Sequence, residues 1–353
     1  MRIVKTIILD CERMKYNHTG LYHFCLHLGQ ALLYMKLPEE SLVFYTDKTN
    51  KGIFGPNEKY LLQQPLHKIF LPSVKKYNVW HTTHQDSMYQ PQNGKIPVVL
   101  TIHDLNFLKG NLKNHAKQHA YLKRLQQKIN KADHVVAISN YVLNDLKEHI
   151  NIGNTPVSVI YNGCNITPIP KLLAPEHAPQ HPFLFTIGTI TEKKNFHVLP
   201  QLLVNNTFEL LIAGVVQDKN YQQVIMAEAT RLGVSDRVHF VGAISENDKQ
   251  WYYKHCSAFV FPSIAEGFGL PVIEAMAFGK PVFLSTHTSL PEIGGEHAFY
   301  FSGFEQESMQ EVLHKGLAAY KQNNNAAAII QHAQQFNWRT AAEKYLEIYR
   351  SFY

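Results

Sequence analysis

Two glutamates, Glu266 and Glu274, lie on either side of the glycine-rich stretch Gly-Phe-Gly-Leu-Pro, which begins at residue 267. Carboxylates beside accessible backbone N–H groups can accept several hydroxyl hydrogen bonds, the kind that a sugar or a ribose offers. Gly269 lets the backbone approach a ligand closely, and Pro271 predicts the first turn of a helix that also contains Glu274. The spacing alone fits a sugar-binding loop and a structural strand–loop–helix with two solvated glutamates equally well.

Two further segments could receive phosphate groups. Residues 289–292, Ser-Leu-Pro-Glu, have the pattern of a capping box with proline in the first turn, so we predict a second helix start with free N–H groups. Lys193 and Lys194 follow a predicted strand that ends at Gly188, and lysine neutralises phosphate as a point charge. A well-capped structural helix and ordinary surface lysines remain open alternatives.

The elements that must position these residues alternate along the chain. Short apolar runs and helical patterns follow one another through most of the 353 residues, which predicts parallel sheets covered by helices. Four prolines within 169–182 indicate a linker near residue 176. We therefore predict an α/β chain with two doubly wound Rossmann-like domains, residues 1–175 and 176–335, facing a cleft. A terminal helix, 336–353, carries aromatic anchors.

Composition excludes several classes of protein. The net charge of +6 is too small to indicate nucleic-acid binding. Four widely spaced cysteines favour reduced thiols in the cytoplasm over a disulfide framework or a zinc site. No apolar run approaches the ~18 residues that span a bilayer, and we expect no signal peptide. We therefore expect a cytoplasmic chain.

The segment from Glu266 to Glu274 resembles the E-x7-E signature of the retaining family-4 glycosyltransferases of GT-B architecture. The likeness covers residues 183–301 and extends to the first domain, for example at 19–22 and 101–105. The sequence Gly-Thr-Ile at 188–190, followed by Lys-Lys-Asn, resembles a subset that contains mannosyltransferases. The resemblance implies two facing domains, with the terminal helix crossing back to the first.

The resemblance also implies a role for each matching residue. Glu274 would hold the ribose hydroxyls of the donor and Glu266 the donor sugar, while Lys194 would bind the phosphates and His103 would face the sugar. Glu266, His103 and Lys194 are thus the catalytic candidates. The other donor-binding candidates are Gly20, Gly188, Thr189, Lys193, Phe268, Gly269, Leu270, Ser289 and Leu290.

Thr189 marks a departure from the family pattern, because many members have an arginine at that position. Lys193 retains a positive charge without the bidentate fork. The implied reaction is retaining transfer of a hexose, with mannose from GDP-mannose favoured over UDP-sugars, to a glycan or lipid-linked acceptor in cell-surface polysaccharide or lipopolysaccharide synthesis. An epimerase, a phosphorylase and a non-catalytic glycan-assembly subunit on the same fold remain alternatives.

We expect neither a cofactor nor a bound metal. The chain has no Asp-x-Asp motif to chelate a diphosphate through a divalent cation. His81 and His84 are three residues apart, so on a strand their side chains face opposite sides and cannot share an ion unless the strand ends between them.

The predicted helix at residues 112–131 has a basic face. It could be a plain surface helix, or it could contact the anionic inner face of the plasma membrane. The five basic residues on this face are Lys113, Lys117, Arg124, Lys128 and Lys131.

Overall fold

The computed structural model describes residues 4–16, 19–91, 96–108, 115–164 and 166–353. The chain divides into two units, Met1–Gly163 with Asn337–Tyr353, and Cys164–Phe336. This division lies earlier in the chain than the predicted boundary at residue 175. The proline-rich stretch belongs to the second unit and is hydrogen-bonded there: the backbone N–H of Ile169 donates to Gln250 Oε1 at 3.1 Å.

The first unit is built on a sheet of seven parallel strands in the order β3-β2-β1-β4-β5-β6-β7. All five residues of the interior strand β5 are buried, as expected for a parallel strand with both faces covered. Its elements are β1 (Lys5–Asp10), α1 (Gly20–Met35), β2 (Glu40–Thr46), β3 (Lys59–Leu62), β4 (Val79–Thr82), β5 (Val98–Ile102), α2 (His115–Ile129), β6 (His134–Ala137), α3 (Asn140–His149) and β7 (Val157–Val159).

The second unit has six parallel strands in the order β10-β9-β8-β11-β12-β13, so the carboxyl ends of β8, β11 and β12 are neighbours. Two Rossmann-like domains are therefore confirmed. The elements of this unit are β8 (Phe183–Ile187), β9 (Glu209–Ala213), α4 (Lys219–Arg231), β10 (Val238–Gly242), α5 (Glu246–His255), β11 (Ala258–Phe261), α6 (Leu270–Ala277), β12 (Val282–Ser285), α7 (Leu290–Gly294), β13 (Phe299–Phe301), α8 (Gln306–Asn323) and α9 (Ala326–Gln334).

The last helix, α10 (Trp338–Arg350), packs against α1 in the first unit. Tyr349 Oη lies 2.7 Å from Nδ1 of His81, and Thr101 Oγ1 lies 2.8 Å from its Nε2. Tyr345 Oη lies 2.9 Å from the same threonine hydroxyl. Each ring nitrogen of His81 therefore lies within hydrogen-bonding distance of a hydroxyl group.

Helix α2 differs in one respect from the predicted basic face. Lys128 Nζ donates to the backbone carbonyl oxygens of Gln85 and Ser87 at 2.6 and 2.5 Å, so this side chain turns into the unit and does not face solvent with the others. Lys113 lies outside the described residues. Within the described ranges, every helix is too short or too polar to cross a membrane.

Candidate functional site

Three loops meet at the carboxyl edge of the second sheet. The backbone N–H of Ile264, after β11, donates to the carbonyl oxygen of Lys193, after β8, at 2.9 Å. The hydroxyl of Ser263 donates to the same oxygen at 3.1 Å. Ser285, at the end of β12, donates through its hydroxyl to the carbonyl oxygen of Ser263 at 2.5 Å. These bonds fix the positions of all three loops relative to one another.

Lys194 and Glu266, predicted from different segments, form an ion pair in which each side chain is only 13% exposed. The lysine side chain crosses Gly188, where an added Cβ would lie 3.3 Å from its Cε. Its ammonium group also lies 5.1 Å from the centre of the Phe261 ring. The next residue, Asn195, has the left-handed φ of 58° that turns the chain back. The structure thus places one cation and one carboxylate side by side at the strand ends.

The other residues of the first loop contribute less. The side chain of Lys193 is exposed, and the residue reaches the three-loop junction through its carbonyl oxygen. Thr189 lies between Gly188 and Ile190, whose backbone N–H donates to the carbonyl oxygen of Val215 at 2.9 Å. Of the two lysines in this loop, Lys194 is the one whose side chain pairs with a carboxylate.

The loop from Glu266 to Gly269 is held by residues that follow β12. The backbone N–H of Glu266 donates to Thr288 Oγ1 at 3.0 Å. The hydroxyl oxygen of Ser289 lies 3.1 Å from the carbonyl oxygen of Glu266 and 2.8 Å from that of Phe268. Gly269 has a φ of +113°, which favours glycine, and a Cβ there would lie 3.1 Å from Leu290 Cδ2.

The predicted capping box at Ser289 is wrong. Ser289 precedes α7, but its side chain makes no capping hydrogen bond. The hydroxyl is instead directed at the carbonyl oxygens of the neighbouring loop. A local sequence pattern was overridden by a tertiary contact, and Ser289 supports the glycine-rich loop.

Glu274 lies one turn into α6, and its predicted place in the first turn is wrong. The side chain is buried, and Tyr253 Oη donates to its Oε2 at 3.1 Å. Lys249 Nζ lies 3.4 Å from Oε1 and also 2.9 Å from a carboxylate oxygen of Glu246. Burial raises the pKa of Glu274, while the charge of Lys249 and the tyrosine hydrogen bond oppose that rise.

Sequence reasoning missed Lys249 and Tyr253. Both lie on α5, and their spacing of four residues places them on one helix face. That spacing is the signal that could have found them, although it does not reveal that Glu274 is the partner. Burial alone would lower the pKa of Lys249, but the carboxylates of Glu274 and Glu246 raise it above its ordinary value.

The first unit contains the other predicted residues, His103 and Gly20. His103 Nε2 lies 2.8 Å from the carbonyl oxygen of Thr83, so this nitrogen carries the proton and Nδ1 can accept a hydrogen bond. Burial lowers the pKa of His103 to about 4, so the ring is neutral at pH 7. Gly20 is the first residue of α1, where an added Cβ would meet nothing within 4 Å.

A buried polar network that the sequence did not reveal lies beside His103. The hydroxyl of Ser87 donates to Asp10 Oδ2, and the backbone N–H of Glu12 donates to Oδ1 at 3.0 Å. Burial raises the pKa of Asp10 to about 7. Thr83 Oγ1 donates to the backbone carbonyl oxygen of Asp10 at 2.5 Å, which connects the network to the contact of His103. This network lies where β1 and β4 meet, a usual ligand position in such sheets.

Two family models match the chain. The model described as Glycosyltransferase Family 4 matches residues 48–167, and the model described as Glycosyl transferases group 1 matches residues 173–336. The chain belongs to the family-4 glycosyltransferases. It is therefore a glycosyltransferase, and the site at the edge of the second sheet lies within the matched residues 173–336.

Individual relatives agree with this assignment. O-antigen chain mannosyltransferase B of Escherichia coli is 22% identical, over 98% of this glycosyltransferase and 99% of that protein. The serotype-specific mannosyltransferase WbdA of Escherichia coli is 28% identical over 64% of this chain but only 30% of its own length. Sucrose-phosphate synthase of Thermosynechococcus elongatus superimposes with a TM-score of 0.76 at 20% identity, over 98% of both chains, which shows the GT-B fold.

Proposed function

We propose that this glycosyltransferase moves mannose from GDP-mannose to a glycan or lipid-linked acceptor of a cell-surface polysaccharide, with retention of configuration. The names of the relatives support mannose as the sugar and an O-antigen-like polysaccharide as the product. The observation that carries the proposal is the ion pair of Lys194 and Glu266 beside the glycine-rich loop. At this sheet edge the cation would suit the diphosphate of the donor, and the carboxylate would suit the hydroxyl groups of its sugar.

Each group has a distinct task in the proposed reaction. Lys194 would stabilise the negative charge that develops on the leaving diphosphate, and the ordered loop would add backbone N–H groups. When a phosphate takes part of the lysine's charge, Glu266 becomes available to accept hydroxyl hydrogen bonds from the sugar. Glu274 would accept the ribose hydroxyls. His103, neutral at pH 7, would offer Nδ1 to a donor hydrogen.

We further propose that the reaction needs no divalent cation. Lys194 would meet the charge that a metal neutralises in enzymes with an Asp-x-Asp motif, which this sequence lacks. We expect the same initial rate in EDTA as in magnesium or manganese. Loss of turnover in EDTA that either cation restores would contradict metal independence.

The donor is tested with the purified protein and a panel of GDP-mannose, UDP-glucose and UDP-galactose. A ligand that binds only the folded state raises the melting temperature, so GDP-mannose should give the largest increase. A transfer assay with the same panel then identifies the sugar that reaches the acceptor. The anomeric signal of the new linkage in a proton NMR spectrum decides between retention and inversion.

The same assay separates the alternatives. An epimerase would release an altered free sugar nucleotide without acceptor, and a phosphorylase would require inorganic phosphate. A larger stabilisation by either UDP-sugar would replace GDP-mannose in the proposal while leaving glycosyl transfer intact. Absence of stabilisation by all three donors would favour a non-catalytic subunit.

A further inference from the structure

A short segment of the first unit exposes large apolar side chains. Leu66, Ile69 and Phe70 are 66%, 71% and 72% exposed. Isolated exposed apolar residues are common, but three of them within five positions of one turn form a contiguous patch, and such patches usually mark an interaction site.

Hydrogen bonds fix the conformation of the segment that carries the patch. His67 Nδ1 lies 2.9 Å from Tyr45 Oη, which anchors the segment to the end of β2. The backbone N–H groups of Ile69 and Phe70 donate to the carbonyl oxygen of Leu66 at 3.0 and 2.8 Å. The exposed side chains therefore project from a hydrogen-bonded turn, so presenting them costs little additional ordering on binding.

The patch is continuous with the basic end of α2. A cavity of about 350 Å³ is lined by residues 67–75 and by Met88, which is 59% exposed. A second cavity, of about 560 Å³, is lined by Met88 together with Arg124 and Lys131. Because the two cavities share Met88, the apolar turn and these basic residues lie on the same side of the first unit.

Basic side chains surround the apolar cluster. The lining of the second cavity also includes an acidic residue, Asp86, which interacts electrostatically with two other lining residues, Tyr121 and Lys128. Apolar side chains bordered by lysine and arginine suit a lipid surface, where the apolar groups enter the headgroup region and the bases pair with anionic headgroups. The exposed bases that line these two cavities are Lys68, Lys75, Arg124 and Lys131.

We propose that this surface docks the first unit onto an anionic lipid bilayer. The proposal moves the membrane contact expected for α2 to a mixed surface in which the turn after β3 supplies the apolar part. The membrane proposal uses none of the proposed sugar-binding residues, so it can be tested separately from the proposed donor and acceptor. We call the following residues the docking surface: Leu66, Lys68, Ile69, Phe70, Lys75, Met88, Arg124 and Lys131.

The test is vesicle flotation of the full chain without donor or acceptor. We expect binding to phosphatidylglycerol–phosphatidylcholine vesicles, weak or no binding to phosphatidylcholine alone, and a decrease as salt is added. The double variants Ile69→Asp with Phe70→Asp, and Lys68→Glu with Lys75→Glu, should each reduce binding by about tenfold or more.

Matched controls are available on the second unit. Leu173 and Val224 are 64% and 50% exposed, so Leu173→Asp with Val224→Asp adds the same two charges at exposed apolar positions. Lys171→Glu with Lys254→Glu reverses the same number of exposed charges elsewhere. All variants change exposed side chains and should keep the wild-type melting temperature, and the controls should also keep wild-type binding.

Three results would overturn the proposal. These are failure of the wild-type chain to float with anionic vesicles, equal binding to neutral vesicles, and unchanged binding of the Ile69→Asp and Phe70→Asp variant. Self-association that the same variant abolishes, measured by sedimentation velocity, would assign the surface to a second copy of the chain. Transfer of sugar to a water-soluble acceptor tests the proposed function independently of all these outcomes.

Discussion

The lysine–glutamate pairs that involve Glu266 and Glu274 in the second unit look alike in composition and differ in construction. Lys194 and Glu266 come from loops after two adjacent strands, and each is 13% exposed. Lys249 and Glu274 come from the helices α5 and α6, with exposures of 12% and 7%, and a second carboxylate and a tyrosine hydroxyl complete their surroundings.

The difference concerns what each carboxylate can offer to a ligand. Glu266 is balanced by a single cation, which an entering phosphate can engage. Glu274 is fixed by two partners on a neighbouring helix, so its orientation is set before any ligand arrives. The loop pair can exchange partners, which suits the proposed contact with the reacting end of the donor. The helix pair cannot exchange partners, which suits the proposed contact with the ribose.

The largest expected effect is on the loop pair. Lys194→Ala and Glu266→Ala should each lower the rate of transfer by about 10²–10³, because each removes a group to which the proposed reaction assigns stabilisation of the transition state. The control is Lys219→Ala, which removes an exposed lysine from the start of α4. Near wild-type turnover of purified Lys194→Ala would show that the phosphate site is assigned wrongly.

Removal of Lys249 should give a smaller effect that depends on pH. Burial already raises the pKa of Glu274, and Lys249→Met should raise it further. In the proposed donor complex the ionised carboxylate of Glu274 would accept the ribose hydroxyls. Donor affinity should therefore weaken as pH falls through the pKa of Glu274, and in the variant the weakening should begin at higher pH. At neutral pH we expect donor affinity about tenfold weaker, measured by calorimetry.

The controls for this variant distinguish charge from packing. Lys249→Arg should restore the pH profile, whereas Lys254→Met, at an exposed position of the same helix, should leave it unchanged. An affinity loss in Lys249→Met that is constant from acid to alkaline pH would assign Lys249 a purely structural role.

Tyr253→Phe should weaken donor affinity by only about threefold to fivefold. It removes one hydrogen bond to Glu274 while Lys249 keeps the charge balance. Titration of the variant with the donor measures the change. A loss as large as that of Lys249→Met would mean that orientation, and not charge, dominates at Glu274.

The smallest effect should come from Lys193→Ala. This side chain is exposed, and the contact of the residue with the site is through its carbonyl oxygen, which alanine retains. We expect turnover within about twofold of wild type, as for most surface substitutions. A much larger decrease would show that both lysines contact the diphosphate.

The sequence predicts the Rossmann-like architecture because alternation of buried strands and helices is a local pattern. It also predicts that Glu266 and Glu274 belong to a site, because the signature that contains them is contiguous, whereas Lys194 is predicted from a separate segment. Local patterns fail where a distant segment competes: the hydroxyl of Ser289 is directed at a neighbouring loop and caps no helix. Lys249 could not be assigned to Glu274 because the sequences of α5 and α6 do not reveal that these two helices contact each other.

The anchoring of α10 has a consequence for how the chain folds during synthesis. Tyr349 and Tyr345 supply hydroxyl partners to His81 and Thr101 in the first sheet. Without Tyr349, the buried Nδ1 of His81 would lose this partner, and an unsatisfied buried polar group costs about 1–3 kcal/mol. Domains usually fold in the order in which the ribosome produces them. The first unit includes α10, so it can complete its native packing only after α10 has been synthesised, whereas all of the second unit precedes α10 in the sequence.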